Sequence, residues 1–354
     1  MTGRDRIRAA LGGKEPDRVP RALAFYRVEA ERIAPKGAWR DDLVDVRFAR
    51  FETPEADAGF FDRAAPAPFP DTRLGTPERT ETYRRWGYRI GAPRGRNPLA
   101  SARTLDDLER FPFPGEEAPV PAGRLRKQVE HIHRRGLAAG GNPPHLGGEL
   151  FETAWRLRGL ENFLIDLARR PDWADLLLER LAARVRRFAA ALAAAGVDLI
   201  SLDDDVGMPG SMMISPETWR RFFKGRLASI LEAARRESPD VFFLYHSDGW
   251  FEPILEDLVE IGFHAVNPVQ PEHMDAVGIR RRFGPRLALW GTVGRQTTFS
   301  HGTPEEIEAE VRLRVETLGR AGLVLAPAYD IDEEDVPWSN VEAFLAAAAR
   351  YGAP

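Results

Sequence analysis

The sequence predicts an α/β fold, a single-domain (β/α)8 barrel of the TIM type. Three observations carry this. Short apolar runs alternate with amphipathic helices through the second half of the chain. Seven or eight such runs fit within the 354 residues, a length that one α/β barrel can fill. None of the runs is followed by the glycine-rich fingerprint of an open dinucleotide-binding sheet.

The strand expectations begin in the first half, with Val19 to Phe25 as a candidate first strand and Ala138 to Gly141 as another. In the second half, strands are expected at 197–202, 241–245, 265–269, 287–290 and 323–326. All are apolar without strict alternation, as suits parallel strands covered on both faces. Helices are expected at 150–168, 173–195, 216–237, 250–261 and 336–350. Ser215 followed by Pro216 gives an N-cap and a first-turn proline. Thr303-Pro-Glu-Glu306 is a capping box that opens a helix to about Leu318. Residues 40–120 are rich in Pro, Gly and Arg with poor periodicity, and read as a loop-rich insertion covering the barrel mouth.

Composition narrows the chemistry. The chain has no cysteine, which excludes disulfides, thiolate ligands and a cysteine nucleophile. Net charge is −4 with both signs interspersed, which argues against a nucleic-acid partner. No apolar run reaches the length of a membrane span, and the charged opening Met1-Thr-Gly-Arg-Asp-Arg lacks an apolar stretch behind it. The expectation is a cytoplasmic enzyme acting on a small molecule, with a homodimer admitted.

Barrel sites lie at the C-terminal strand ends. Those ends carry Asp203-Asp204-Asp205, His246-Ser-Asp248, Asn267-Pro-Val-Gln270, Gly291-Thr292 with Gln296 behind it, and Tyr329-Asp330. Residues two apart in an extended segment face the same way, so His246 and Asp248 can share a pocket. They would act as metal ligands or as an acid/base pair with its orienting carboxylate. Of the three adjacent aspartates, Asp204 and Asp205 are expected to point inward and handle protons. Asn267, Gln270, Gln296, Tyr329 and Asp330 are candidate substrate contacts, and His145 a candidate mouth residue.

Several segments together carry a family resemblance. They are Arg4-Asp-Arg-Ile-Arg-Ala-Ala-Leu11, Pro16-Asp-Arg-Val-Pro20, Phe151-Glu-Thr-Ala-Trp-Arg-Leu-Arg-Gly159, Asp204-Asp-Val-Gly207, His246-Ser-Asp-Gly249, Asn267-Pro-Val-Gln270, Gly302-Thr-Pro-Glu-Glu306 and Asp335-Val-Pro-Trp-Ser-Asn340. In order and spacing the chain resembles the uroporphyrinogen decarboxylase superfamily, which includes cobalamin-dependent methyltransferases. The resemblance implies a (β/α)8 barrel. Decarboxylases of this superfamily carry an arginine-rich N-terminal loop and an Asp that holds the pyrrole N–H groups. Here the stretch reads Arg21-Ala-Leu-Ala-Phe-Tyr-Arg27, without that pattern.

The thiol-activating methyltransferases bind zinc through a His-x-Cys pair and a later Cys. His246 matches the His, Asp248 replaces the first Cys, Tyr329 stands near the later ligand, and Glu152 can add a carboxylate. The resemblance therefore implies a divalent metal, zinc in the relatives, at His246 and Asp248 with Glu152 or Tyr329. It also implies a corrinoid carried on a partner protein. Two further readings stay open: a cofactor-free decarboxylase of a tetrapyrrole or smaller carboxylic acid, and a non-catalytic ligand-binding barrel.

Overall fold

The computed structural model describes residues 1–23, 34–51, 97–111, 120, 122–145, 147–328 and 336–353. Seven strands form one parallel sheet in sequence order: β1 Val46–Ala49, β2 Ala138–Gly141, β3 Leu199–Asp203, β4 Phe242–His246, β5 Ala265–Asn267, β6 Ala288–Trp290 and β7 Leu323–Val324. Six of the seven match the apolar runs.

The first strand does not. Val19–Phe25 was the expectation, but β1 lies at Val46–Ala49, within the stretch read as insertion. Its sequence, Val-Arg-Phe-Ala, is too short and too charged to stand out from its surroundings. Of the expected strand, Arg21 forms a single parallel bridge to Leu325. Around that bridge the Ala22 N–H donates to the Leu325 carbonyl, the Leu325 N–H to the Pro20 carbonyl, and the Asp45 N–H to the Arg21 carbonyl, each within 2.9 Å. The segment therefore touches both β7 and the approach to β1. Phe25 lies outside the described residues.

Alternation along each strand sorts side chains into two layers. Val46, Ala138, Leu199, Leu244, Ala265, Ala288, Trp290 and Val324 form an inner cluster with Ile7, Ala10 and Leu11 of helix Gly3–Leu11. Ile200, Leu202, Phe243, Tyr245, Val266, Leu289 and Leu323 face the other way, into the larger core shared with the helices. Each side chain of this size removed from water contributes about 1.5–3 kcal/mol, so the two layers fix strand register firmly.

The helices largely follow the reading. Ser215 caps the helix at Pro216 by accepting from the Thr218 N–H at 3.1 Å. That helix runs to Glu237 through a π turn at Arg220–Lys224. The capping box at Thr303 forms, with the Thr303 N–H donating to Glu306 at 2.7 Å. The helix expected over 150–168 splits into Phe151–Arg158 and Leu160–Arg169, because Gly159 takes φ +87° between them. A side chain there would force a left-handed backbone, which glycine adopts without penalty.

Most of the 40–120 segment lies outside the described residues. Besides the stretch with β1, its described residues 97–111 dock on the helical layer, where the Leu99 N–H bonds the Leu157 carbonyl and Arg180 bonds the Leu108 carbonyl. Among the described residues, no helix is long and apolar enough to cross a membrane.

Candidate active site

Asp203 and His246 end adjacent strands and are register partners, and Asn267 follows in the same row on β5. Asp203 shares the parity of Leu199 and His246 that of Leu244, so both belong to the inner face. His246 Nδ1 lies 2.7 Å from Asn267 Oδ1, and Asn267 Nδ2 donates to the Trp290 carbonyl at 3.2 Å. On its other side, His246 Nε2 lies 3.8 Å from Asp203 Oδ1 and 3.8 Å from Asp205 Oδ1.

The same alternation places Asp204 elsewhere. Its carboxylate turns outward and accepts the N–H groups of Phe151 and Glu152 at 2.9 and 3.1 Å, at the start of helix Phe151–Arg158. The inward pair is thus Asp203 with Asp205, not Asp204 with Asp205. Alternation applied to the run itself would have singled out residues 203 and 205.

Asp205 accepts the Asp248 main-chain N–H at 2.7 Å. Ser247 Oγ accepts from the Val206 and Gly207 N–H groups, and the Asp204 N–H donates to the His246 carbonyl. Gly207 and Gly249 meet at this seam. A Cβ on Gly207 would lie 2.2 Å from the Asp248 carbonyl oxygen, and one on Gly249 would lie 2.7 Å from the Met208 nitrogen. The two motif glycines are required by backbone against backbone.

Gln270 is buried, and its Oε1 accepts the Gly249 N–H at 2.6 Å, so it braces the loop that carries Asp248. His145 Nε2 lies 2.7 Å from Asn142 Nδ2 beyond β2. Gln296 is exposed in a π turn after β6. Tyr329 and Asp330 lie outside the described residues.

A residue the sequence reading did not single out is Glu149. It is buried, its N–H donates to the Asp203 carbonyl at 2.7 Å, and its carboxylate accepts the Asp203 N–H. Little in the sequence marks it beyond its place behind Gly147-Gly148, where a Cβ on Gly148 would lie 2.6 Å from the Asp203 carbonyl oxygen.

The electrostatics follow from acids crowded into a buried mouth. Burial, reinforced by Asp205 and Glu149, raises the Asp203 carboxyl well above its usual range. Glu149 is raised well above its usual range by burial and by Asp204. Burial pushes Asp204 up to about 7 against the helix N–H groups that favour its ionised form. Glu152 is pushed up to about 8 by burial, even though Arg156 bonds it at 3.0 Å. His246 is lowered by burial, which favours the neutral ring against the pull of Asp205. Each of these groups is shifted from its solvent value toward its neutral form, the pattern found at reactive sites.

Among the described residues, Asp203, Asp205 and His246 are the groups whose ligand atoms converge, all within 4.8 Å of one another. The Asp203 Oδ1 atom is buried without a hydrogen-bond partner. An oxygen-rich set with a bare acceptor suits a hard or borderline divalent cation. Without cysteine, thiolate zinc does not fit.

Residues 92–351 match the model of the family described as Uroporphyrinogen decarboxylase (URO-D). The chain belongs to the uroporphyrinogen decarboxylase family. Within it, the chain is 27% identical over 250 residues to a protein named Methylcobamide:CoM methyltransferase MtaA from Methanosarcina barkeri, covering 68% of this chain and 70% of that one. It is 29% identical over 238 residues to a protein named Uroporphyrinogen decarboxylase from Methylococcus capsulatus, covering 64% of this chain and 63% of that one. The fold is shared with a solved methyltransferase from Methanosarcina mazei, at TM-score 0.65 and 20% identity over 99% of both chains. Members of this family are methyltransferases or decarboxylases, and the family supports an enzyme.

Proposed function

We propose that this family member is a metal-assisted methyltransferase-type enzyme acting on a small oxygen-bearing substrate, with a corrinoid protein as its methyl-carrying partner. The observation that carries the reading is the convergence of His246 with inward carboxylates at the C-terminal strand ends, in a chain similar to a methylcobamide-dependent methyltransferase. A (β/α)8 barrel is part of this reading: the isolated bridge from Arg21 to Leu325 and the Asp45 N–H bond to the Arg21 carbonyl support residues 20–22 as an eighth strand between β7 and β1.

The chain's own residues divide the work. Asp203, Asp205 and His246 present the charge and lone pairs that would hold a divalent cation, whose contribution when bound is to polarise the substrate oxygen. Asp205 is the most exposed of the three, its side chain 35% accessible, and is the one a substrate could reach first. Glu152 holds its proton near neutral pH and can give it to a leaving oxygen. Asn267 and Gln270 set the positions of His246 and of the loop bearing Asp248.

The test is methyl transfer between methylcobalamin and small alcohols, phenols or thiols, in both directions, with the metal-loaded protein. Turnover should appear with an oxygen-bearing partner. It should fall more than about 100-fold in His246→Ala, the scale of losing one contact that stabilises developing charge. Carbon dioxide release from uroporphyrinogen, with no methyl transfer, would replace this reading with the decarboxylase. Silence in both assays, with tight binding of a small ligand, would leave a binding barrel.

A further inference from the structure

We propose that Asp203, Asp205 and His246 bind one oxygen-preferring divalent cation, and that Asn267 holds His246 in the ligating tautomer. This deepens the proposed function by naming the donors, but it concerns the metal alone and needs no substrate.

The argument starts from Asn267. Its Nδ2 donates to the Trp290 carbonyl at 3.2 Å, so Oδ1 is the end that faces His246. An amide oxygen only accepts, so the 2.7 Å contact places the proton on His246 Nδ1. In the neutral ring the lone pair then sits on Nε2, the atom facing Asp203 Oδ1 and Asp205 Oδ1 at 3.8 Å each. Three acceptors therefore converge within 4.8 Å. At 3.8 Å both carboxylate oxygens stand beyond direct hydrogen-bond reach of Nε2, a spacing that leaves room for a cation among the three atoms.

Burial makes the case stronger than a surface cluster would. The Asp203 side chain is 7% exposed, and its Oδ1 has no hydrogen-bond partner. A bare buried acceptor is costly, more so when ionised, unless something fills it. The donors also sit on rigid supports. Asp203 and His246 are the register-paired last residues of β3 and β4, and Asp205 is oriented by the Asp248 N–H at 2.7 Å. Asp248 thus enters as a main-chain brace for a ligand, while the carboxylate of Asp203 supplies the charge. Donors about 2.1 Å from an octahedral cation stand about 3.0 Å apart, so the donor atoms, now within 4.8 Å of one another, have to draw in by side-chain adjustment. Two carboxylates and one imidazole favour Mn²⁺ over a thiophilic ion.

The experiment uses the full chain, stripped with chelator and titrated with Mn²⁺ alone, read by calorimetry and by loss of the free-Mn²⁺ paramagnetic resonance signal. One Mn²⁺ per chain should bind, and the unfolding midpoint should rise with Mn²⁺ concentration. His246→Gln, Asp203→Asn and Asp205→Asn should each weaken binding by more than about tenfold, and Asn267→Leu by about 10–100-fold. Asp248→Asn should bind as the parent does. Circular dichroism of each stripped variant separates lost binding from lost folding, and Asp205→Asn lies nearest the surface should the buried variants fail to fold. No Mn²⁺ uptake by the parent would overturn the proposal. So would an Asp248→Asn variant that loses binding while Asp203→Asn keeps it. Mn²⁺ uptake without methyl transfer would sink the proposed function and leave this site standing, and methyl transfer by a protein that takes up no Mn²⁺ would do the reverse.

Discussion

The two ends of β3 bury carboxylates under opposite conditions. At the N-terminal end, Asp198 accepts from Arg4 at 2.9 Å, Arg8 at 3.1 Å and the Ala139 N–H at 3.0 Å, with His133 Nε2 2.9 Å away. Its neighbour on this floor, Asp45, is held by Arg18 at 2.7 Å, by the Arg21 N–H at 2.8 Å and by Arg6. At the C-terminal end, Asp203 faces His246 and Asp205, with no arginine or lysine paired to it among the described residues. The floor's arginines tie helix Gly3–Leu11 to the strands, and His133 ties the helix at Ala122–Arg134. The mouth leaves the Asp203 Oδ1 atom without such a partner. A buried charge that is paired serves stability; one left bare at strand C-termini is kept for a ligand.

The largest expected effect tests that contrast directly. Asp198→Ala leaves Arg4, Arg8 and His133 turned toward one another around an orphaned Ala139 N–H, and should cost about 3–5 kcal/mol in urea unfolding. Asp203→Asn in the metal-free protein should cost far less, or stabilise, because it removes one of several crowded charges. Equal losses at the two ends would break the comparison.

The floor side has its own weak point. His264 Nδ1 accepts the Phe243 N–H at 3.1 Å, and burial followed by the charge of Arg235 depresses it to about 4. The folded state thus holds the ring neutral while the unfolded chain takes a proton near pH 6.5. Stability from this group is full above that pH and is lost as pH falls toward 4. The expected loss is about 2–3 kcal/mol across the window. His264→Gln should flatten that part of the pH–stability curve; an unchanged slope would place the acid sensitivity elsewhere.

The smallest effect concerns the outward aspartate. Asp204→Ala removes the acceptor for the Phe151 and Glu152 N–H groups and should destabilise by about 1–2 kcal/mol, the scale of a lost N-cap. Because Asp204 faces the helices, Mn²⁺ affinity should change less than in Asp203→Asn. Matching losses of affinity would mean that the layer assignment does not separate the two roles.

How much of this was legible in the sequence depended on the length of each signal. Leu199-Ile-Ser-Leu-Asp203 and Phe242-Phe-Leu-Tyr-His246 stand out as apolar runs, and their ends lead straight to the site. Val46–Ala49 does not, because four residues with an arginine among them carry no more periodicity than a loop. The capping residues Ser215 and Thr303 were readable because their hydrogen bonds are local. Glu149 and the Asn267–His246 contact were not, since strand register joins them and a single sequence does not print register. Asp203 was an intermediate case. Its parity with Leu199 was available, but three consecutive aspartates hide which of them continues the strand's inward side.

The seam at Gly207 and Gly249 has a wider consequence. There the loops after β3 and β4 meet main chain against main chain, with no room for a Cβ on either glycine, while Ser247 Oγ and the Asp205 carboxylate pin the same seam from the side. A substitution at residue 248 keeps the main-chain N–H that Asp205 accepts, so the frame beneath stays put. A rim of this kind works as a fixed socket, whose main-chain frame stays in place while the side chain at residue 248 changes.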